Sequence, residues 1–250
     1  MARATVIAYH AVGDCPSADD PYNLFVSPDA FRRQMAFLAR RRHVVPLDVL
    51  LAEELPRRRP AVAITFDDGY RSVLTEAGPV LRRYGFPATV FVPTAFVGRR
   101  SEWLPPSRCP LEIMSPDELR ESDELGIAVE SHGHAHIDFA RAGAADAEAD
   151  LRTSIERLTE ILGRRPRHLA YPFGPSSPEA RAAAEACGFE SAFSIDALDE
   201  GPCARERVQI TPLDGPVAYA LKTSGHYLAW RRSALGSRAY ALVRPLRRKR

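Results

Sequence analysis

Three stretches hold the residues with the greatest chemical capacity. Thr65-Phe66-Asp67-Asp68-Gly69-Tyr70 sets two carboxylates side by side at the end of an apolar, β-branched run. Successive strand side chains point to opposite faces, so Asp67 and Asp68 are expected to aim at different targets. Neighbouring carboxylates both stay ionised only when a cation or a hydrogen-bond donor attends one of them. The Asp-Gly pair also suits a plain turn or helix cap.

Glu130-Ser131-His132-Gly133-His134-Ala135-His136 packs three imidazoles into five residues, in a chain with 7 histidines in all. His132 and His136 can converge on one ion if the loop turns back, leaving His134 to face elsewhere or to contact substrate. With Asp68 they make a two-imidazole, one-carboxylate set with an open position for water, as catalytic zinc sites have. An incidental surface loop is the plainer alternative. Ala170-Tyr171-Pro172-Phe173-Gly174 frames an aromatic with Pro and Gly, which predicts a tight turn whose N–H groups could face a site.

The elements that must position these residues alternate between short apolar runs and longer segments of helical period, the mark of βα units. Strands are predicted at Thr5 to His10, His43 to Pro46, Ala61 to Phe66, Ala88 to Pro93, Gly126 to Ser131, His168 to Pro172 and Ser191 to Ile195. Helices are predicted after the Ser27-Pro28-Asp29 cap, from Asp48, over Arg71 to Tyr84, after Ser115-Pro116-Asp117, over Ala144 to Leu162, and over Pro178 to Ala186. Each chemical stretch then falls at the C-terminal end of a strand, where α/β barrels and doubly wound sheets keep their chemistry. Residues 1–215 are expected to form this barrel-like unit. Residues 216–250 are expected to be a helical extension with a basic tail.

The chain has 250 residues, with 34 Lys+Arg against 32 Asp+Glu and 45% hydrophobic residues, which suits a globular protein and gives no reason to expect nucleic acid as partner. Basic residues crowd only Arg244 to Arg250, a solvated tail or a weak contact to an acidic membrane surface. Cys15, Cys109, Cys187 and Cys203 show no metal-like spacing, which fits a reducing compartment. The opening segment is too short in apolar residues for a signal peptide. The expected location is the cytoplasm, at the inner membrane face if the basic tail engages it.

The motifs TFDDG, S-H-x-x-x-H and Y-P-F-G, in this order and each on a strand end, resemble those of the polysaccharide deacetylases (NodB-homology, carbohydrate esterase family 4). Tyr9-His10-Ala11-Val12 is similar to the start of members acting on poly-N-acetylglucosamine-like substrates. The resemblance covers roughly Thr5 to Ile195 and implies an α/β fold, a distorted (β/α) barrel with fewer than eight repeats. It implies a divalent metal, usually Zn2+, held by Asp68, His132 and His136, with Asp67 as catalytic base and the Phe173 N–H facing the developing oxyanion. Two departures stand out. The family's third motif carries an arginine that orients the catalytic Asp, and Ala170 stands at that position here. The late histidine that serves as general acid is also missing from its usual motif, which leaves His10 and His226 as rival candidates. Tyr70, Trp103, His134, Tyr171, Pro172 and Phe173 are the expected substrate contacts, with Trp103 in a Pro-rich loop that could fold over the site.

The activity expected is metal-dependent N-deacetylation of an N-acetylated sugar, in a polysaccharide, an oligosaccharide or a lipid- or nucleotide-linked form. The alternatives are a metal-dependent amidase acting on a small non-sugar amide or cyclic imide or ureide, and a catalytically inactive carbohydrate-binding barrel. An open rim lined by aromatics suits a sugar, whereas a closed pocket with a free Arg suits a small anionic amide.

Overall fold

The computed structural model describes residues 4–52, 59–104, 109–195, 201–233 and 236. Strand β1 (Ala4–Tyr9) leads into two-residue strands β2 (Ala11–Val12) and β3 (Phe25–Val26), which pair with each other in parallel. Ser27 then caps α1 (Pro28–Arg41), its side chain accepting from the Ala30 amide, and Pro28 sits in the first turn, where its missing N–H costs nothing. β4 (His43–Val44) and α2 (Leu47–Leu51) precede β5 (Ala61–Phe66).

The single helix predicted over 71–84 is split. Val73–Ala77 forms a π turn and α3 (Gly78–Tyr84) follows it. Pro79 has no N–H for the Thr75 carbonyl, so the chain widens by one residue there. Next come β6 (Ala88–Val92), a 3-10 turn at Thr94–Phe96, and α4 (Pro116–Glu124), which opens on a Ser115/Glu118 capping box. After β7 (Ile127–Ser131), α5 (Ala144–Leu162) buries Leu151, Ile155 and Leu158 as its periodicity predicts and stops at Gly163, whose φ of 69° a side chain would resist. The chain continues through β8 (His168–Ala170), α6 (Pro178–Ala186), β9 (Ser191–Ile195), β10 (Arg205–Gln209), α7 (Pro216–Lys222) and α8 (Tyr227–Arg232).

Seven parallel strands close into a ring in the order β1-β5-β6-β7-β8-β9-β10, with β4 added along the start of β5. This is the expected distorted (β/α) barrel with fewer than eight repeats. Alternate residues of β5 divide the core: Ala61 and Ala63 join Val6, Phe91, Ala170 and Phe193, while Val62, Ile64 and Phe66 pack with Phe31 and Leu38 of α1 and Leu81 of α3. β10, which carries the sequence RERVQ, was not anticipated, yet it supplies the strand that closes the ring.

The segment after residue 215 begins docked on the barrel. Tyr219 of α7 is buried and its hydroxyl accepts from the Tyr9 hydroxyl at 3.1 Å. The basic stretch Arg244 to Arg250 lies outside the described residues. The expectation of four reduced cysteines fails for Cys15 and Cys109, which form a disulfide with their Cα atoms 5.4 Å apart; Cys187 and Cys203 are free and buried. The pairing joins two rim loops 94 residues apart, a proximity that only the closed barrel creates. Among the described residues no helix is long and apolar enough to cross a membrane.

Candidate active site

The C-terminal rim of the barrel gathers His10 after β1, Asp67 and Asp68 after β5, His132 after β7 and Tyr171 after β8. The strand ladders run on into these residues. Asp67 N–H donates to the Tyr9 carbonyl at 2.9 Å, His132 N–H to Val92 at 3.0 Å and Tyr171 N–H to Phe193 at 3.0 Å, so the side chains rise from rigid backbone.

Asp67 continues the inward alternation of Ala61, Ala63 and Thr65. There it meets Arg207 of β10, a fully buried guanidinium that spans both carboxylate oxygens at 2.7 Å each and also donates to Thr65 Oγ1 at 3.0 Å. The guanidinium lies over the Phe91 ring, 5.1 Å from its centre. A planar fork matched to a carboxylate, in surroundings poor in water, fixes Asp67 in orientation as well as charge. Burial pushes the Asp67 carboxyl up, but Arg207, His132 and His10 together hold it below the usual carboxylate range. The arginine missing at Ala170 is thus supplied from another strand. An arginine in the alternation of a polar run such as RERVQ is the sequence signal that could have located it.

Asp68 departs from the strand. Its φ of 68° and that of Gly69, 67°, are both left-handed, a conformation that aspartate tolerates better than most residues. A Cβ on Gly69 would stand 3.1 Å from the Val92 methyls, so the turn needs glycine at that place. Turned this way, Asp68 Oδ1 lies 3.3 Å from His132 Nε2 and 3.2 Å from His136 Nε2. All three groups are buried, and their ligand atoms lie within 4.8 Å of one another.

His132 Nδ1 is 2.6 Å from the Ala170 carbonyl, which can only accept, so Nδ1 carries a proton and Nε2 is the nitrogen turned toward Asp68. Burial lowers the His136 pKa and favours the neutral imidazole a metal requires. Burial raises Asp68, but the bonds from both imidazoles hold it well below the ordinary range. Two imidazoles and a carboxylate, converging with no fourth protein ligand among the described residues, fit a divalent cation with an open coordination position.

The surroundings sort the remaining expected residues. Trp103 lies flat on His136, ring centres 3.9 Å apart and planes at 13°, and Phe173 meets the same imidazole edge-on at 4.8 Å. Phe173 is 58% exposed and Trp103 half-buried, so both border the open rim. His134 is turned the other way: its Nδ1 pairs with Thr94 Oγ1 at 2.8 Å, and it lines a hollow with Asp138 and Asp146.

Tyr70 is buried against Phe25, and Tyr171 donates its hydroxyl to the Cys203 carbonyl at 3.1 Å. Pro172 is buried too, so among the Tyr171–Gly174 turn's expected contacts only Phe173 reaches the open rim. These burials correct the expectation that Tyr70, Tyr171 and Pro172 reach substrate. His10 is half-buried at the rim, and its Nδ1 has no hydrogen-bond partner. His226 is exposed at the start of α8, whose Leu228 shares a hollow with Ala4 and Thr5 at the opposite mouth of the barrel. The structure therefore does not bring His226 to the site.

A parallel seven-stranded barrel with a buried Asp/His/His cluster at its C-terminal rim defines a class, and comparison with known proteins supplies the family. The polysaccharide deacetylase family model matches residues 54–192, and the chain belongs to that family. It is 27% identical over 152 residues to the poly-beta-1,6-N-acetyl-D-glucosamine N-deacetylase of Staphylococcus aureus, covering 57% of this chain and 50% of that protein. It is 24% identical over 168 residues to YxkH of Bacillus subtilis, covering 66% of this chain and 56% of that one. The chain thus spans about half the length of the curated relatives it matches. In fold it is similar to the Streptococcus pyogenes deacetylase PplD, solved in complex with acetate, at TM-score 0.74 and 21% identity over 88% of this chain and 97% of that one. IcaB from Ammonifex degensii superposes at TM-score 0.73 and 23% identity over 93% and 98%.

Proposed function

We propose that the chain is a divalent-metal-dependent hydrolase that removes an N-acetyl group from an N-acetylated sugar. The observation that carries this reading is the convergence of Asp68, His132 and His136 beside an Asp67 clamped by Arg207. A zinc ion held by those three ligands would polarise the acetamide carbonyl and bring the pKa of a water near neutrality. Asp67, ionised and fixed, takes the proton of the water that adds to the carbonyl carbon. The C–N bond then breaks to give acetate and a free amine. His10, at the same rim with an unpartnered Nδ1, is the group we assign to protonate that amine. The Phe173 N–H, by the family resemblance, meets the oxyanion.

The exposed Phe173 and the half-buried Trp103 favour a sugar face over a small anionic amide, because the buried Arg207 is already committed to Asp67. Similarity to the Staphylococcus aureus enzyme supports a poly-N-acetylglucosamine-like substrate. The Cys15–Cys109 disulfide supports an oxidising compartment over the cytoplasm.

The test joins metal analysis to acetate release from N-acetylglucosamine oligomers, lipid- and nucleotide-linked sugars and small amides. Chelator-sensitive acetate from one sugar class is the expected result. Asp67→Asn should lower turnover by about 100-fold or more while keeping one metal per chain, whereas His132→Ala or His136→Ala should lose the metal. Bound metal with acetate from no sugar would transfer the reading to the amidase. A wild-type chain that binds no metal would leave the inactive barrel.

A further inference from the structure

The loop between the two histidine ligands is held from outside the barrel. Asp150 of α5, itself buried, accepts from two consecutive amides of that loop, His134 N–H to Oδ2 at 2.6 Å and Ala135 N–H to Oδ1 at 2.8 Å. One turn further along the helix, Ser154 Oγ lies 2.8 Å from Ser131 Oγ, which accepts from the Gly133 N–H at 3.1 Å. The amides of residues 133, 134 and 135, all those between the ligands, are therefore tied directly or through one hydroxyl to two side chains of α5.

The opposite edge is tied as well. Thr94 N–H donates to the Gly133 carbonyl at 3.2 Å and Ala95 N–H to the His134 carbonyl at 3.0 Å. Gly133 has a left-handed φ of 74°, and a Cβ there would stand 2.7 Å from Asp150 Oδ2. The approach of this carboxylate to the backbone is what demands glycine at position 133.

The two ligands differ in their need for this support. His132 has its outer nitrogen fixed by the Ala170 carbonyl, but His136 Nδ1 is buried with no hydrogen-bond partner. A ligating imidazole is ordinarily oriented by a bond from its second nitrogen. His136 lacks one, and its backbone sits at a left-handed φ of 53°. Its position therefore rests on ring contacts with Trp103 and Phe173 and on the backbone course that Asp150 fixes.

We propose that Asp150, assisted by Ser154, is a positioning residue for the metal site: it holds the 133–135 backbone so that His136 meets His132 and Asp68 before any ion arrives. The carboxylate touches neither metal nor substrate. It acts through two charge-assisted bonds to the loop. The inference rests on the metal-site reading above.

The test measures the zinc dissociation constant by chelator competition, together with kcat at saturating zinc and the visible absorption of the cobalt-substituted protein. Wild type, Asp150→Asn and Ser154→Ala are compared. Asp150→Asn keeps the shape but replaces one acceptor with a donor that faces an N–H. It should weaken zinc binding by about 10- to 100-fold, exceed any loss in kcat at saturating zinc, and alter the cobalt bands. Ser154→Ala should act in the same direction to a smaller extent, and it carries the test should Asp150→Asn not fold. A lowered melting temperature with wild-type zinc affinity in the folded variant would make the clamp merely structural and overturn the proposal. A wild-type chain without zinc affinity would instead overturn the metal-site reading itself.

Discussion

Asp67 and Arg207 form an ion pair in which neither partner has water to fall back on. Their side chains are 3% and 0% exposed, so Asp67 depends on Arg207, and Arg207 on Asp67 and Thr65 Oγ1. Removing only Arg207 leaves a buried carboxylate uncompensated, at a cost of about 3 to 5 kcal/mol, and frees Asp67 to turn away from its working direction. Arg207→Met should therefore lower both the urea midpoint and the rate of acetate release. The Asp67→Asn/Arg207→Met double variant should recover stability, with a coupling of about 2 kcal/mol in the cycle. Additive losses in urea unfolding would mean that the pair is not an energetic unit. Arg207→Lys keeps a charge but not the two-pronged geometry, so it should restore stability better than rate.

At the scale of elements, Asp123 joins three pieces of the barrel wall. Near the end of α4, it accepts from the Val129 amide of β7 at 3.0 Å and from Arg164, beyond α5, through Nη2 at 2.5 Å and Nε at 3.2 Å. Burial raises this carboxyl, but the Arg164 bonds and the Val129 amide outweigh it, and the net pKa is lowered. A carboxyl lowered by folding stabilises fully above its unfolded pKa of about 4, and that contribution is lost as pH falls through the folded value. Asp123→Asn should cost about 1 kcal/mol near neutral pH, discounted for a partly exposed pair, and the gap to wild type should close in acid. A gap independent of pH in denaturant titrations would rule out the charge as its source.

The same scale explains what the sequence could reveal. Strands such as Ala61–Phe66 and helices such as α5 were legible because burial on one face leaves an apolar period and their ends carry Ser, Pro or Gly signals. The Asp/His/His set was legible because ligand chemistry narrows the choice of residue type. β10 was not, since its inward position is spent on Arg207, and a strand whose core-facing residue serves the site loses the apolar mark by which strands are found. The clamp from Asp150 stayed hidden because it depends on how α5 packs against the loop, which no local residue pattern reports.

For the molecule as a whole, closure of the ring brings the loop after β2 against the loop carrying Trp103, and the Cys15–Cys109 bond locks that approach. The bond closes 94 residues, a span that includes β5 and β6. Constraining an unfolded chain over so long a loop is worth about 2 to 4 kcal/mol, which in a chain of this size shifts the melting temperature by roughly 5 to 15 °C. The candidate metal ligands stand at the ends of β5 and β7 and on the loop that α5 ties down, and none of them sits on either of the two loops that the bond joins. Cys15→Ser/Cys109→Ser, or gentle reduction, should therefore lower the melting temperature by that amount while bound metal stays at one ion per chain. Loosening the tether also frees Trp103 from His136, so KM for a sugar substrate should rise more than kcat falls. Calorimetry and metal analysis on the same sample decide the matter: an unchanged melting temperature would show that the closed barrel alone fixes the two loops, and lost metal would show that the tether reaches the site itself.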